Sequence, residues 1–358
     1  MLILAINPGS TSTKIAIFKN KQNIFTHTIA HSRQQLMQFN HIIDQYDFRK
    51  KLILQLLNKH NYQLTDFNAI VGRGGLLKPI ASGVYRVNAA MIHDLKIGYS
   101  GEHASNLGGL LAYELAQQTK NPDNAFIVDP VVVDEMEDIA RISGMPEIPR
   151  RSIIHALNQK AVAYRYAKEN NTQYEKINLI VAHMGGGISI GAHCKGRIID
   201  TGSGNLGDGT FTPERSGGIP IYQFAELCFS KKYSFTEIKK MIIGNGGLLA
   251  YLGTNNIQEV KTRIKQGDKK AKLILSAMIY QIAKEIGAYA TVLKGKIDAI
   301  ILTGGIAYDK DICKEITASV KFIGKIVIYP GEDEMRALAE NVYNALTKQL
   351  PIKQYIVK

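Results

Sequence analysis

Two glycine turns, each joining a pair of apolar strands, restrict the folds open to this chain more than any other feature. The first is Ile3-Leu-Ala-Ile-Asn-Pro-Gly-Ser-Thr-Ser-Thr-Lys-Ile-Ala-Ile-Phe18, and the second is Leu179-Ile-Val-Ala-His-Met-Gly-Gly-Gly-Ile-Ser-Ile-Gly-Ala-His193. Aligned, Asn7 falls on His183 and Gly9 on Gly185. A strand that ends in glycine or hydroxyl residues exposes backbone N–H groups with no side chain in the way, which suits an anionic oxygen. Two such turns predict a duplicated domain that grips a polyphosphate from both sides. For either turn alone, a hairpin closure is the better explanation. The run Ser10 to Thr13 followed by Lys14 is more than a bare hairpin needs.

The elements around the turns repeat. Strands at Leu2–Ile6, Lys14–Lys19 and Asn23–Ala30 precede a helix over Asp44–His60, a strand at Ala69–Gly72, helices over Asn88–Ile97 and His103–Thr119, and a buried strand ending at Asp129. The second half gives a helix at about Ser152–Glu169, the strand pair over 177–194, a strand at Gly196–Thr201 and a Gly/Thr/Pro/Ser-rich loop from Gly202 to Pro220. Helices follow at Tyr222–Phe229, Thr236–Ile243, Ile257–Lys265 and Asp268–Leu293, then strands at Lys296–Thr303 and Lys325–Tyr329 and a helix at Asp333–Gln349. The order is βββαβαβα, twice, in an α/β chain. Two prolines in Met145-Pro-Glu-Ile-Pro149 mark the expected boundary. A first domain over 1–148, completed by the C-terminal helix 334–358, and a second over 149–333 are therefore expected.

Composition narrows the function. A chain of 358 residues, 45% hydrophobic, is too long for one ordinary core and has apolar residues enough for two. It opens directly on a strand, and no stretch approaches the roughly 18 uninterrupted apolar residues of a membrane span, so a soluble, cytoplasmic protein with no membrane partner is expected. Cys194, Cys228 and Cys313 lie far apart with no CxxC pair and read as buried or incidental thiols; the histidines lack metal-ligand spacing. The formal charge of +13 is spread along helices such as Lys261 to Lys272, away from aromatics, so no nucleic-acid partner is expected. A basic field still concentrates anionic substrates.

Candidate chemistry lies near the glycines. Gly304-Gly305 ends the apolar run Ala299–Thr303, where a base or ribose can lie against bare backbone; a strand-to-helix turn explains the pair almost as well. Arginine sits among glycines in Gly72-Arg73-Gly-Gly75 and in Pro213-Glu-Arg215-Ser-Gly-Gly218, with a fork that matches carboxylate or phosphate. One such arginine is ordinary; two in different domains suggest an anion clamp. For His103, His155 and His183 a core or capping role is the plain alternative, as a helix cap is for Asp129.

The chain resembles the acetokinase family, in particular its butyrate kinase branch, along essentially its whole length. The resemblance rests on Asn7-Pro-Gly-Ser-Thr-Ser-Thr-Lys14, Val71-Gly-Arg-Gly-Gly75, His183-Met-Gly-Gly-Gly-Ile-Ser189, Phe211-Thr-Pro-Glu-Arg-Ser-Gly217, Leu302-Thr-Gly-Gly-Ile306 and Tyr329-Pro-Gly-Glu-Asp-Glu-Met335. It implies two actin-like, ribonuclease H-like domains with the active site in the cleft between them, ATP as co-substrate, Mg²⁺, and a homodimer or higher oligomer. By the resemblance Arg73, Asp129, His155 and Arg215 are catalytic, and Arg73, Gly75, His103, Ile154 and Pro213 contact the acid. Asn7, Ser10, Ser12, Lys14, His183, Gly185, Gly186, Gly187, Gly304, Gly305 and Ile306 bind the nucleotide. Asn7 meets the metal with Asp333, the aligned acid, or with Glu334 as the fallback.

Departures from acetate kinases bear on the substrate. Gly75 stands where they have valine, and Ile154 where they have phenylalanine, which suggests a roomier pocket for a longer acid; the loop before Arg215 is shorter than theirs. The implied reaction is ATP + butyrate ⇌ ADP + butyryl phosphate by in-line attack. Acetate, propionate or a branched acid are alternative acceptors. A sugar kinase of the same superfold would use Asp129 as base, and an actin-like ATPase that only switches shape is the rival of another class.

Overall fold

The computed structural model describes residues 1–204 and 207–356. Its strands are β1 (Leu2–Pro8), β2 (Ser12–Lys19), β3 (Gln22–Ala30), β4 (Ala69–Arg73), β5 (Val84–Arg86), β6 (Ala125–Val128), β7 (Asn178–Met184), β8 (Ile188–Cys194), β9 (Arg197–Thr201), β10 (Ala299–Gly304), β11 (Ile326–Pro330) and β12 (Ile352–Gln354). The chain divides into two compact units, Met1–Val133 with Asp333–Lys358, and Asp134–Glu332. The prolines of Met145–Pro149 lie inside the second unit, and the last two residues of the C-terminal segment assigned to the first domain fall outside the described residues.

Both units carry the same five-strand pattern. In the first the order is β3-β2-β1-β4-β6, extended at the β6 edge by β5 and β12; in the second it is β9-β8-β7-β10-β11. β1 and β7 each pair antiparallel with the next strand and parallel with β4 or β10. Each is therefore central and covered on both faces, which is why Ile3 to Ile6 and Leu179 to Ala182 are fully buried continuous apolar runs. In the second unit Ile180, Ala182 and Met184 face the core of helix Lys269–Val292, while Leu179 and Val181 face that of helix Ala156–Glu169.

Among the elements not expected from sequence are two strands and four helices, the helices Arg33–Leu36, Asp138–Arg141 and Gly247–Leu252 being short. β5 and β12 are three residues each, too short for a periodic signal. Helix Lys310–Val320 joins β10 to the parallel β11, a connection that parallel pairing requires. It buries Ile312, Cys313, Ile316 and Val320 and is capped by Asp309, whose side chain accepts from Asp311 N and Ile312 N. In the first unit the helix after the last parallel strand comes from the far end of the chain: Glu334–Leu346 packs on β1, β4 and β6.

Candidate active site

In the first unit, parallel pairing of β1 with β4 sets Ile6 beside Gly72, so Asn7 and Arg73 extend from the same end of the sheet. Helix Glu334–Leu346 starts there. Glu334 is 3% exposed; its Oε1 lies 3.0 Å from Arg73 Nη2, and its Oε2 accepts from Asn7 Nδ2 at 2.8 Å. Three residues distant in sequence thus form one polar cluster. Asp333, the aligned choice for the metal, stands apart from it: the side chain is 59% exposed and lies 3.5 Å from Arg336.

The first glycine turn is closed by Gly9 N donating to Ser12 O at 2.8 Å. Ser10 is exposed, and Ser12 and Lys14 are half-buried, Lys14 opposite Asn7. Behind the turn lies a residue the sequence did not single out. Arg49, fully buried, donates from Nη1 to Gly9 O and Ser12 O at 2.9 Å and to Thr13 Oγ1 at 3.0 Å, and from Nη2 to Gln45 Oε1 at 2.8 Å. Among the described residues no carboxylate pairs with it. Burial pushes its pKa down to about 10, which leaves it charged at neutral pH. By burial first, and by the Arg49 charge second, neighbouring His31 is pushed down to about 4. An arginine far from its targets in sequence, in an otherwise ordinary helix, gives no motif to find.

The remaining candidates of this unit have structural partners. Asp129 has φ +38°, and its Oδ1 accepts from Ser82 Oγ and Gly83 N, both at 2.7 Å. His103 Nδ1 accepts from Ser105 N at 3.2 Å at the start of helix Asn106–Ala116. Gly75 corrects an expectation. A Cβ there would sit 2.5 Å from Asn106 Cα and 2.4 Å from its Oδ1, so the room left by the missing side chain is occupied by the helix start and gives no space to a longer acid.

In the second unit His155 precedes helix Ala156–Glu169 and stacks on His183, with ring centroids 3.8 Å apart and planes 10° from parallel. His155 Nδ1 is 2.9 Å from Ser189 Oγ. His183 is 1% exposed; its Nδ1 accepts from Asn158 Nδ2 at 2.8 Å, and its Nε2 lies 3.2 Å from Glu332 Oε1. The second glycine turn is closed by Gly185 N donating to Gly187 O at 2.9 Å. The Arg215 guanidinium packs against Gly187: a Cβ there would be 2.1 Å from Arg215 Nη1, which donates to Gly204 O at 2.7 Å. Burial pushes the Arg215 pKa down, and Glu214 pulls it back up. Thr212 Oγ1 donates to Gly186 O at 2.8 Å, and buried Pro213 accepts from Leu249 N at 2.9 Å. Ile154 is buried at 2% exposure. Gly304, φ +88°, Gly305 and Ile306 follow β10; Gly304 is bridged to Gly331, Gly305 is exposed and Ile306 buried.

The loop that carries Arg215 is pinned by helix Lys269–Val292. Phe211 N donates to Gln281 Oε1 at 3.1 Å and Thr210 N to Glu285 Oε2 at 2.8 Å. Glu285 lines a cavity of about 500 Å³ with Arg150, Asp200 and Asp208, and burial pushes its pKa up to about 7.

The implied Mg²⁺ can be tested against this donor set. Among the described residues there is no cluster of three or more His, Cys, Asp or Glu that would hold a metal unaided. Asn7 Oδ1, however, is buried and accepts no hydrogen bond, and it belongs to the amide that contacts Glu334. An amide oxygen beside one carboxylate is the hard, incomplete donor set that Mg²⁺ completes with phosphate oxygens and water. The residues fit the ion, and Glu334 rather than Asp333 stands beside Asn7.

Comparison with known proteins places the chain in a family and a fold. A family model described as the acetokinase family matches residues 146–342. Acetate kinase from Porphyromonas gingivalis superposes with a TM-score of 0.78 at 18% identity, over 96% of this chain and 99% of that one. A propionate kinase from Francisella tularensis subsp. tularensis SCHU S4 gives 0.75 at 23% identity, over 95% and 98%. Acetate kinase from Entamoeba histolytica gives 0.75 at 15%, over 98% and 100%. At such identities the likeness establishes the fold: two duplicated actin-like α/β domains.

Proposed function

The chain belongs to the acetokinase family of carboxylate kinases, and we propose that it transfers the terminal phosphoryl group of ATP to a short-chain fatty acid, butyrate being the acceptor. The observation that carries this reading is the Asn7–Arg73–Glu334 cluster, where a guanidinium and an unsatisfied amide oxygen are held ready by one buried carboxylate. Butyrate itself rests on the resemblance to the butyrate kinase branch and on Ile154, since Gly75 contributes no space.

An acid of pKa about 4 to 5, by analogy with glutamate, is ionised at pH 7 and needs no base. Asp129, whose Oδ1 is tied to Ser82 and Gly83, is poorly placed to serve a hydroxyl acceptor. The obstacle is repulsion between two anions. Arg73 would hold the carboxylate, and Arg215, His155 and the N–H groups of Gly185 to Gly187 would spread the charge of a loose transition state. Asn7 and Glu334 would hold Mg²⁺, which when bound supplies charge neutralisation on the phosphates. Because Arg73 and Glu334 form a buried pair, Arg73→Ala would weaken the fold along with turnover, by about 3 kcal/mol.

No described helix is long and apolar enough to cross a membrane. A homo-oligomer is part of the same proposal; Ile221, Tyr222, Phe229 and Phe235 present exposed apolar surface that self-association would cover.

The test is hydroxamate trapping of acyl phosphate over acids from C2 to C6. A maximum of kcat/KM at C4 supports the reading, and a maximum at C2 or C3 reassigns the acceptor to acetate or propionate. ATP hydrolysis without acyl phosphate for any acid would return the chain to the ATPase-switch class.

A further inference from the structure

Hydrogen-bond donors and acceptors in the second unit form two chains whose polarity can be read from fixed ends. The first starts at the backbone carbonyl of Ser189, an acceptor only. Gln159 Nε2 donates to it at 3.1 Å, which fixes the amide and leaves Gln159 Oε1 as the acceptor facing His193 Nε2 at 2.9 Å. His193 must therefore donate from Nε2. It is fully buried, and desolvation followed by the Lys160 charge holds its pKa well below the usual histidine range, so the ring is neutral and its Nδ1 accepts from Tyr174 Oη at 2.7 Å.

The same amide sets the other branch. Gln159 Nε2 also donates to Ser189 Oγ at 3.0 Å, as does His155 N at 3.3 Å. The hydroxyl, already accepting from both, has one proton to give, and His155 Nδ1 lies 2.9 Å away. Nδ1 of His155 is thus an acceptor, and the ring carries its proton on Nε2.

A second chain starts at the carbonyl of Gly331. Thr303 Oγ1 donates to it at 3.2 Å and accepts from Asn158 Nδ2 at 3.2 Å. That orients the Asn158 amide, whose Nδ2 donates to His183 Nδ1 at 2.8 Å. His183, too, carries its proton on Nε2, toward Glu332 Oε1 at 3.2 Å.

We propose that Asn158 and Gln159, adjacent on the helix that His155 begins, are positioning residues of the phosphoryl-transfer site, fixing His183 and His155 as a stacked pair of Nε2–H tautomers. The proposal rests on the reading above in which His155 faces the transferring phosphoryl group. The His155 ring then offers its Nε2–H to phosphoryl oxygen, that of His183 stays buried on the side of Glu332, and neither ring offers Nε2 as a base. A carboxylate acceptor is already ionised, so a donor is what the reaction requires.

The tautomers are measurable without turnover. In the ¹⁵N-histidine-labelled full chain, with His155 and His183 assigned by single substitution, both should show protonated Nε2 and unprotonated Nδ1. Gln159→Glu keeps the shape and removes the donors, so the introduced carboxylate draws the Ser189 hydroxyl proton. His155 should shift toward protonated Nδ1, and kcat should fall about ten- to a hundredfold with KM for ATP and acid nearly unchanged. Asn158→Asp should do the same to His183. If Gln159→Glu fails to fold, Ser189→Ala removes the same donor to His155 and should give the same kinetic split. Protonated Nδ1 in the unsubstituted protein would overturn the proposal while leaving the role of His155 intact. A folded Gln159→Glu with unchanged kcat would overturn the positioning role; full turnover by His155→Ala would instead remove the functional reading beneath it.

Discussion

Arg49 is a full positive charge buried beneath the first glycine turn and held by carbonyls, a hydroxyl and an amide. Burying a cation without a carboxylate costs stability unless something else compensates, and an anion on the outer side of the turn would do so. At about 8 Å and an effective dielectric near 20, one unit of charge is worth about 2 kcal/mol. Arg49→Met should therefore weaken ADP binding by at least about tenfold while adenosine binds as before, and Arg49→Lys should retain more of the ADP affinity; calorimetric titration with both ligands decides it. Equal losses for ADP and adenosine would make the residue purely structural. Of the candidate site, Asn7, Arg73 and Arg215 stood out in the sequence because each sits in or beside a glycine-rich string, whereas His155 and His183 were singled out only by the family resemblance. Arg49, Asn158 and Gln159 were not singled out, because what marks them is the atom they face. The spacing of Asn158 and Gln159 from His155, three and four along one helix, was the one available clue.

At the level of elements, the two glycines after β10 have separate reasons. Gly304 has φ +88°, and a Cβ on it would lie 2.3 Å from Met184 O, whereas a Cβ on Gly305 would meet nothing within 4 Å. Gly304→Ala should lower stability by roughly 2 kcal/mol or more, seen as a lower urea midpoint without nucleotide. Gly305→Ala should leave that midpoint alone and raise the Kd for ADP. Similar midpoints for the two variants would contradict the geometry. The strand hairpins were legible because β1, β2, β7 and β8 are long and apolar. Helix Lys310–Val320 was overlooked although parallel pairing of β10 and β11 demands a crossover; its charged outer face hides the buried positions Ile312, Ile316 and Val320. The reading of Gly75 failed differently, because an absent side chain does not reveal whether a ligand or a helix fills the space.

For the molecule as a whole, pH acts through opposed groups. Glu285 titrates at about 7 when folded against an ordinary 4.5, so between those values the folded chain binds more protons than the unfolded one, and stability falls as pH rises. The loss amounts to at most about 3 kcal/mol and is complete just above pH 7. His31, pushed down to about 4, gives the opposite slope: stability falls as pH drops below about 6.5. The two partly cancel in the native chain. Glu285→Gln should expose the slope that His31 shares with buried His193, with a melting temperature that climbs from pH 5 to 7 and then levels; a curve parallel to that of the unsubstituted protein would show that Glu285 is not the group responsible. The return of Glu334–Leu346 to the first sheet also sets an order on biosynthesis. The ribosome must complete the second unit before the residues that finish the first exist, a delay of roughly ten to forty seconds at ordinary elongation rates. Through that interval Arg73 lacks its carboxylate, and the half-built sheet has apolar surface for a chaperone to shield.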